Sequence, residues 1–261
     1  MGIINLTPDS FYENSRSENA DTVIRLAEKM ISEGATIIDI GGQSTRPGSK
    51  KVSPDEELKR IIGPLQALHK SLPDAIISID TYYSRVAKEA VQAGAVIVND
   101  VSGGDFDSEM IGTVADLKVP YVLMHIKGDP ETMQENPEYD DIAKEVLEYF
   151  IMKLDILKKA GVDDVIIDPG FGFGKTIDHN FQLLQKLSIL SMTGKPVLAG
   201  ISRKSTIYKT LGVSANEALN GTSVLNTIAL LNGASILRVH DVKEAKEAVV
   251  LVDRYMNASK K

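Results

Sequence analysis

The 261-residue sequence predicts an α/β fold, a single (β/α)8 barrel spanning residues 1–261. Three observations carry this reading. Short β-branched runs alternate with amphipathic stretches along the whole chain, the runs number eight, and no Pro/Gly/Ser-rich linker or shift of composition divides them. A doubly wound open sheet is the competing architecture, because periodicity does not report closure; the count of eight favours the barrel.

In order, the first run lies near residues 2–6. An amphipathic helix follows, with Val23, Leu26, Ala27, Met30 and Ile31 at helical spacing and Asn19 as its candidate N-cap. The second run, near 36–40, comes after Gly34-Ala35, and Ser53-Pro54 then opens a helix carrying Leu58, Ile61, Ile62 and Leu65. Further runs lie near 75–80, 95–99, 120–125, 164–168, 196–200 and 235–239. Gly94, Gly161 and Gly233 stand before three of them as Gly34 does before the second, each able to take the left-handed conformation that ends a helix. The runs are apolar at successive positions, as strands of a parallel sheet buried on both faces are. Residues 138–160 and 241–257 are further amphipathic stretches, and 217–231 is a more uniformly apolar one.

With 36 acidic and 29 basic residues the formal charge is −7, which argues against nonspecific nucleic-acid binding but leaves an anionic small molecule open. The absence of cysteine excludes disulfides, cysteine-bound clusters, zinc-thiolate sites and thiol nucleophiles, and fits a reducing, cytoplasmic compartment. No apolar run approaches the roughly 18 residues of a membrane span, and Met1-Gly2-Ile3-Ile4-Asn5 turns polar too soon for a signal peptide.

In a barrel the active site is built at the C-terminal ends of the strands. Reading those ends gives Asn5, Asp39, Asp80, Asn99-Asp100, His125, Asp168, Ser202-Arg203-Lys204 and Arg238-Val239-His240. Asp80, Asn99 and Asp168 suit the donor edge of a flat heterocycle. Arg46, Lys204, Arg238 and His240 suit a phosphate or pyrophosphate. Asp39, before Gly41-Gly42, reads as the most structural of the set. The run Asp168-Pro169-Gly170-Phe171-Gly172-Phe173-Gly174-Lys175-Thr176 ends like a phosphate-binding loop, but Pro169 stands where that motif needs its first glycine. What remains is a backbone that can approach a ligand closely, with Phe173 available to a ring and Phe171 reading as core. His69 and His179 read as surface residues, and His125 as a polar group behind the site. No cluster of metalloprotease type is present. Magnesium carried mainly by substrate phosphates, with Asn5 as one oxygen ligand, is the metal the residues allow.

Eight blocks in order resemble the dihydropteroate synthase family, the pterin-binding TIM barrels, over nearly the whole chain. They are Met1-Gly2-Ile3 through Asn5-Leu6-Thr7-Pro8-Asp9-Ser10-Phe11, Gly41-Gly42-Gln43-Ser44-Thr45-Arg46-Pro47-Gly48, Ser78-Ile79-Asp80-Thr81, Val98-Asn99-Asp100, Leu123-Met124-His125, Asp168 to Lys175, Ser202-Arg203-Lys204-Ser205 and Arg238-Val239-His240-Asp241. The resemblance implies condensation of 6-hydroxymethyl-7,8-dihydropterin diphosphate with 4-aminobenzoate, releasing diphosphate, in folate synthesis, and a sulfonamide target. It implies that Asp80, Asn99, Asp168 and Lys204 bind the pterin with Met124 and Phe173 nearby. Asn5, Arg238 and His240 would meet the diphosphate and magnesium. Thr45, Arg46, Pro47 and Ser205 would form the aminobenzoate pocket. It further implies departure of diphosphate before amine attack, with Asp80, Lys204, Arg238 and His240 as the catalytic set. One departure from the family is Tyr12-Glu13-Asn14-Ser15 in place of an acid followed by two glycines, which bears on the motion of the first loop.

Two rivals are a barrel that transfers a methyl group from a methylated folate to a corrinoid protein, and a noncatalytic pterin-binding paralogue. A methyl donor carries no diphosphate and needs neither Ser202-Arg203-Lys204 nor Arg238-Val239-His240, so the synthase is favoured. The resemblance also implies a homodimer, for which the stretch 217–231, with Leu219, Val224, Leu225, Ile228, Leu230 and Leu231, is the candidate face.

Overall fold

Residues 1–6, 16–44, 49, 51–128, 133 and 137–258 are described by a computed structural model. Because each strand run carries apolar residues at successive positions, its two faces need two different covers, and the chain supplies them by closing the sheet on itself inside a ring of helices. The strands are β1 (Gly2–Asn5), β2 (Ile37–Gly41), β3 (Ile76–Asp80), β4 (Ile97–Asp100), β5 (Tyr121–Met124), β6 (Val165–Asp168), β7 (Leu198–Ala199) and β8 (Ile236–Leu237). All eight fall on the expected runs, the last two as short pairs. The described helices are α1 (Arg16–Ser32), α2 (Pro54–Ser71), α3 (Ser84–Gln92), α4 (Met110–Leu117), α5 (Ile142–Lys159), α6 (Ile177–Gln185), α7 (Ser205–Leu211), α8 (Leu219–Leu231) and α9 (Val242–Met256). Two of them, α7 and α8, share the single crossover from β7 to β8.

β1 to β6 pair in parallel and in sequence order, and β7 pairs with β8. Hydrogen bonds close the ring at its two thin seams. Ile3 N–H donates to Val239 O (3.0 Å) and Val239 N–H to Met1 O (2.9 Å), while Ile167 N–H donates to Pro196 O (2.9 Å). The bridge between the first and last strands rules out the open-sheet alternative, whose outer strands never meet.

Strand alternation sorts the residues between the two covers. Ile38, Ile40, Ile77, Ile79, Val98, Leu123 and Ile167 join the main core with the helices. Ile37, Ile97, Val122, Ile166, Leu198 and Ile236 form a separate apolar plug with Met1. Two positions further along the same strands stand Asp39, Asn99, Met124, Asp168, Gly200 and Arg238, so the plug is roofed by a largely polar layer at the C-terminal mouth.

Local signals also behave as expected, with one shift. Ser53 caps α2, accepting from Glu56 N–H (3.3 Å), with Pro54 in the first turn. Gly34, Gly94, Gly161 and Gly233 all have positive φ where a helix hands over to a strand. Helix α1 begins at Arg16, so Asn19 lies inside its first turn rather than at its cap; helix-tolerant residues carry the turn three positions further back. Among the described residues no helix is long and apolar enough to cross a membrane.

Candidate active site

At the mouth, β8 delivers Arg238 between two acids. Its Nε donates to Asp39 Oδ2 (2.7 Å) and its Nη2 to Asp80 Oδ2 (2.6 Å), and Nη2 also lies 2.6 Å from Asp39 Oδ2. Asn99, in register with Asp80 across β3 and β4, donates from Nδ2 to the same Asp39 oxygen (3.1 Å). That bond fixes the amide so that the Asn99 Oδ1 is left as an acceptor. Asp39 has no solvent exposure, and its Oδ1 has no hydrogen-bond partner among the described residues. Burial pushes the Asp80 carboxyl up, against the Arg238 guanidinium, because one cation serves two carboxylates. The same two acids raise Arg238, outweighing the effect of its burial.

The opposite wall comes from β6 and β7. Asp168 accepts from Gly170 N–H through Oδ1 (2.8 Å). Its Oδ2 borders the space over Gly200, where an added Cβ would stand 3.7 Å from that oxygen, 3.9 Å from Lys204 Nζ and 3.9 Å from Arg238 Cβ. Burial raises Asp168, with Lys204 the leading opposing charge; burial lowers Lys204 to about 8. Lys204 Nζ donates to Phe171 O and lies 4.5 Å from the centre of the Phe173 ring, over its face. Gly41 leaves a matching gap: a Cβ there would stand 3.4 Å from Asp80 Cβ and 3.7 Å from Asn5 Oδ1. Asn5 and Asp80 thus border one inward glycine, and Asp168, Lys204 and Arg238 the other, at places where the strands present no side chain.

Met124 and Phe173 share a small apolar cluster with Tyr82, Val101 and Met133, separate from the main core to which Phe171 belongs, as the sequence suggested. His240 is exposed at the rim. The Ser202 hydroxyl accepts from its backbone N–H (3.2 Å) and pairs with its ring Nδ1 (3.0 Å). Ser205 is half-buried at the first position of α7, beside Lys204. Arg203, between Ser202 and Lys204, is structural. At φ 54° it is held in the left-handed region by a bidentate pair with Asp241 (2.8 Å each) and by its own N–H to Thr222 Oγ1 (3.1 Å). Thr45, Arg46 and Pro47, and the departing segment Tyr12 to Ser15, fall outside the described residues.

Sequence reasoning undervalued two residues. Asp39 read as merely structural, yet it orients both Arg238 and Asn99; the period of two along Ile37-Asp39-Gly41 was the signal that it faces inward. Lys175 was dismissed with the phosphate-loop motif, yet its Nζ contacts His125 Nδ1 (2.9 Å), which bears out the position of His125 behind the site. Nothing local in the sequence distinguishes a lysine turned inward at that place.

The fold and this mouth define a barrel enzyme whose acid-and-amide floor and cationic rim fit a flat, donor-rich ring carrying an anionic tail. A family model described as "Pterin binding enzyme" matches residues 1–240. The dihydropteroate synthase of Escherichia coli K12 is 42% identical over 260 residues, covering 99% of this chain and 92% of that protein. The Yersinia pestis dihydropteroate synthase solved with a sulfonamide drug superposes with a TM-score of 0.92 at 40% identity, covering 98% of this chain and 94% of the other. The Xanthomonas albilineans dihydropteroate synthase solved with 4-aminobenzoic acid gives a TM-score of 0.90 at 37% identity, covering 98% and 92%. The chain belongs to the pterin-binding enzyme family, among the dihydropteroate synthases.

Proposed function

We infer that this mouth condenses 6-hydroxymethyl-7,8-dihydropterin diphosphate with 4-aminobenzoate to give 7,8-dihydropteroate and diphosphate. The observation that carries the reading is the gathering of acceptors (Asp80, Asn99, Asp168) and cations (Lys204, Arg238) around Gly41 and Gly200, where the strands present no side chain. Asp168 and Asn99 Oδ1 receive the N–H groups of the pterin's amino-pyrimidine edge, and Lys204, stacked over Phe173, closes that side. Arg238 and the His240 ring hold the diphosphate.

The C–O bond to diphosphate breaks first and its electron pair leaves with the diphosphate oxygen. The positive charge left on the pterin's methylene carbon spreads into the ring, where the Asp80 carboxylate faces it. The amine of 4-aminobenzoate then forms the new C–N bond and gives up one proton, so a weak nucleophile needs no strong base. Thr45, Arg46, Pro47 and Ser205 are assigned to the aminobenzoate.

Among the described residues no group of three or more His, Asp and Glu could cage a metal. A single amide oxygen at the end of β1 fits instead an ion that arrives with the diphosphate, and Asn5 would hold it there. When bound, magnesium supplies positive charge beside the leaving group. The dimer reading rests on α8, whose Val224, Ile228 and Leu231 are exposed while Leu225 is buried. Leu225 and Ile228, with Phe181 and Leu184 of α6, border an open groove of about 490 Å³ that a second copy would cover.

The test is diphosphate release from the pterin diphosphate, with and without 4-aminobenzoate and magnesium. Release that requires all three is the expected result, and release that ignores 4-aminobenzoate refutes the reading. Sedimentation of the purified protein checks the dimer, which a monomer at micromolar concentration would refute.

A further inference from the structure

The Gly174-Lys175-Thr176 run mimics the end of a phosphate-binding loop, yet Lys175 is buried, at 2% exposure. Besides His125 Nδ1 at 2.9 Å, its Nζ meets the carbonyl oxygens of Gly170 (3.0 Å), Phe173 (3.0 Å) and His125 (3.4 Å). One amine thereby ties the turn after β5 to the glycine loop after β6. The loop has further fixings: Gly172 N–H donates to Asn180 Oδ1 (2.7 Å) and Tyr139 OH to Gly174 O (2.8 Å). Contact with His125 Nδ1 requires a neutral imidazole, and burial, helped by Lys175 itself, pushes that histidine far down.

We propose that Lys175 is a positioning residue for pterin binding: it does not touch the ligand, but fixes the loop that presents Phe173 and places a positive charge behind Asp168. The inference rests on the pterin reading of the mouth. Burial drives Asp168 toward its neutral form, and Lys204, Arg238 and Lys175 are the cations that oppose it, while Asp80 faces it with like charge. Burial also lowers Lys175, to about 7, with Asp168 drawing it back up and Lys204 opposing; Lys127 is the other cation felt by His125. Removing the Lys175 charge therefore makes Asp168 take up its proton at a higher pH, and a protonated Asp168 is a poor acceptor for the pterin edge.

The experiment measures the Kd of 6-hydroxymethylpterin by calorimetry from pH 5 to 8 for the unaltered protein, Lys175→Met and Lys175→Gln, the last keeping two donors for the loop carbonyls should the first not fold. Both neutral variants are expected to lose affinity on the acid side about one pH unit earlier, so that they bind up to about tenfold more weakly within that fall-off. In an Asp168→Asn background, Lys175→Gln is expected to change Kd less than about threefold, because the Lys175 charge then has no carboxylate to act on. Equal affinity, or a uniform loss with the acid fall-off unmoved, overturns the proposal while leaving the pterin reading intact. Failure of the unaltered protein to bind the pterin overturns both.

Discussion

Glu57 has no solvent exposure, and neither of its carboxyl oxygens has a hydrogen-bond partner among the described residues. It lies in the first turn of α2 beneath Gly42, where an added Cβ would stand 2.9 Å from its Cγ. Burial pushes it up from 4.5 to about 8, with the Thr81 hydroxyl and Arg60 opposing and Asp80 adding to the rise. The unfolded chain ionises above 4.5 while the folded protein keeps the proton to about 8, so folding takes up a proton throughout that window. The stability Glu57 allows is complete below pH 4.5 and falls as pH rises toward 8, by about 1.4 kcal/mol per pH unit, or roughly 5 kcal/mol over the window. Glu57→Gln abolishes this dependence but buries an amide in place of the protonated acid, at a cost of about 1–3 kcal/mol. The variant is therefore expected to be less stable than the parent at pH 4.5, equal to it near pH 6, and more stable by about 2–4 kcal/mol at pH 8. Urea unfolding midpoints at pH 5, 6.5 and 8 measure this directly. A difference between the two proteins that stays constant from pH 5 to 8 refutes the reasoning.

Asp39→Asn should cost about 3 kcal/mol and lower kcat at least tenfold, because Arg238 loses the charge of its most buried carboxylate and shares one neutral amide oxygen with Asn99; denaturant unfolding and steady-state turnover check both, and unchanged kcat counts against Asp39 as an orienting group. Gly170→Ala should prevent soluble expression or cost more than about 3 kcal/mol, since at φ 68° the new Cβ would stand 1.9 Å from His125 O, whereas Gly194→Ala, with nothing within 4 Å, should cost about 1 kcal/mol. Equal melting temperatures for the two would contradict the close approach. Lys204→Ala should weaken the pterin diphosphate by about 10- to 150-fold, as loss of a charged hydrogen bond does. In the parent, affinity should decline as pH rises through about 8, where Lys204 loses its charge; flat binding from pH 7 to 9 would oppose that assignment.

The barrel was legible because its signals are local. A glycine at the left-handed position, an apolar run and a polar strand end recur unit by unit, and each is read within ten residues. What was not legible depends on which way one side chain turns. Asp39 and Asp80 look alike in sequence, but β2 places Asp39 one layer deeper, where it serves Arg238 from 199 positions away. Lys204 and Lys175 each follow a glycine-rich or polar turn, yet Lys204 faces the opening while the loop's own carbonyls capture Lys175. Glu57 was invisible for a different reason: the first turn of an amphipathic helix is the ordinary place for solvated acids, and Asp55 and Glu56 beside it are such acids.

The net charge of −7 and the cationic rim are parts of one arrangement. A lone arginine at the mouth would sample many rotamers and would lose that freedom on meeting a diphosphate. Arg238 instead has Nε and Nη2 committed to Asp39 and Asp80, while Nη1 makes no hydrogen bond among the described residues. The acids subtract from the attraction for an anion, but they fix the guanidinium before substrate arrives. They also leave Asp80 short of positive charge, and in the proposed reaction that carboxylate meets the developing cation. On that proposal, departure of the diphosphate removes two or more negative charges from the rim while positive charge grows on the pterin, and the Asp80–Arg238 pair answers both changes without moving. Reversing either charge would then harm the bond-breaking step more than binding, which is why the acids belong to the chemistry as much as the cations do.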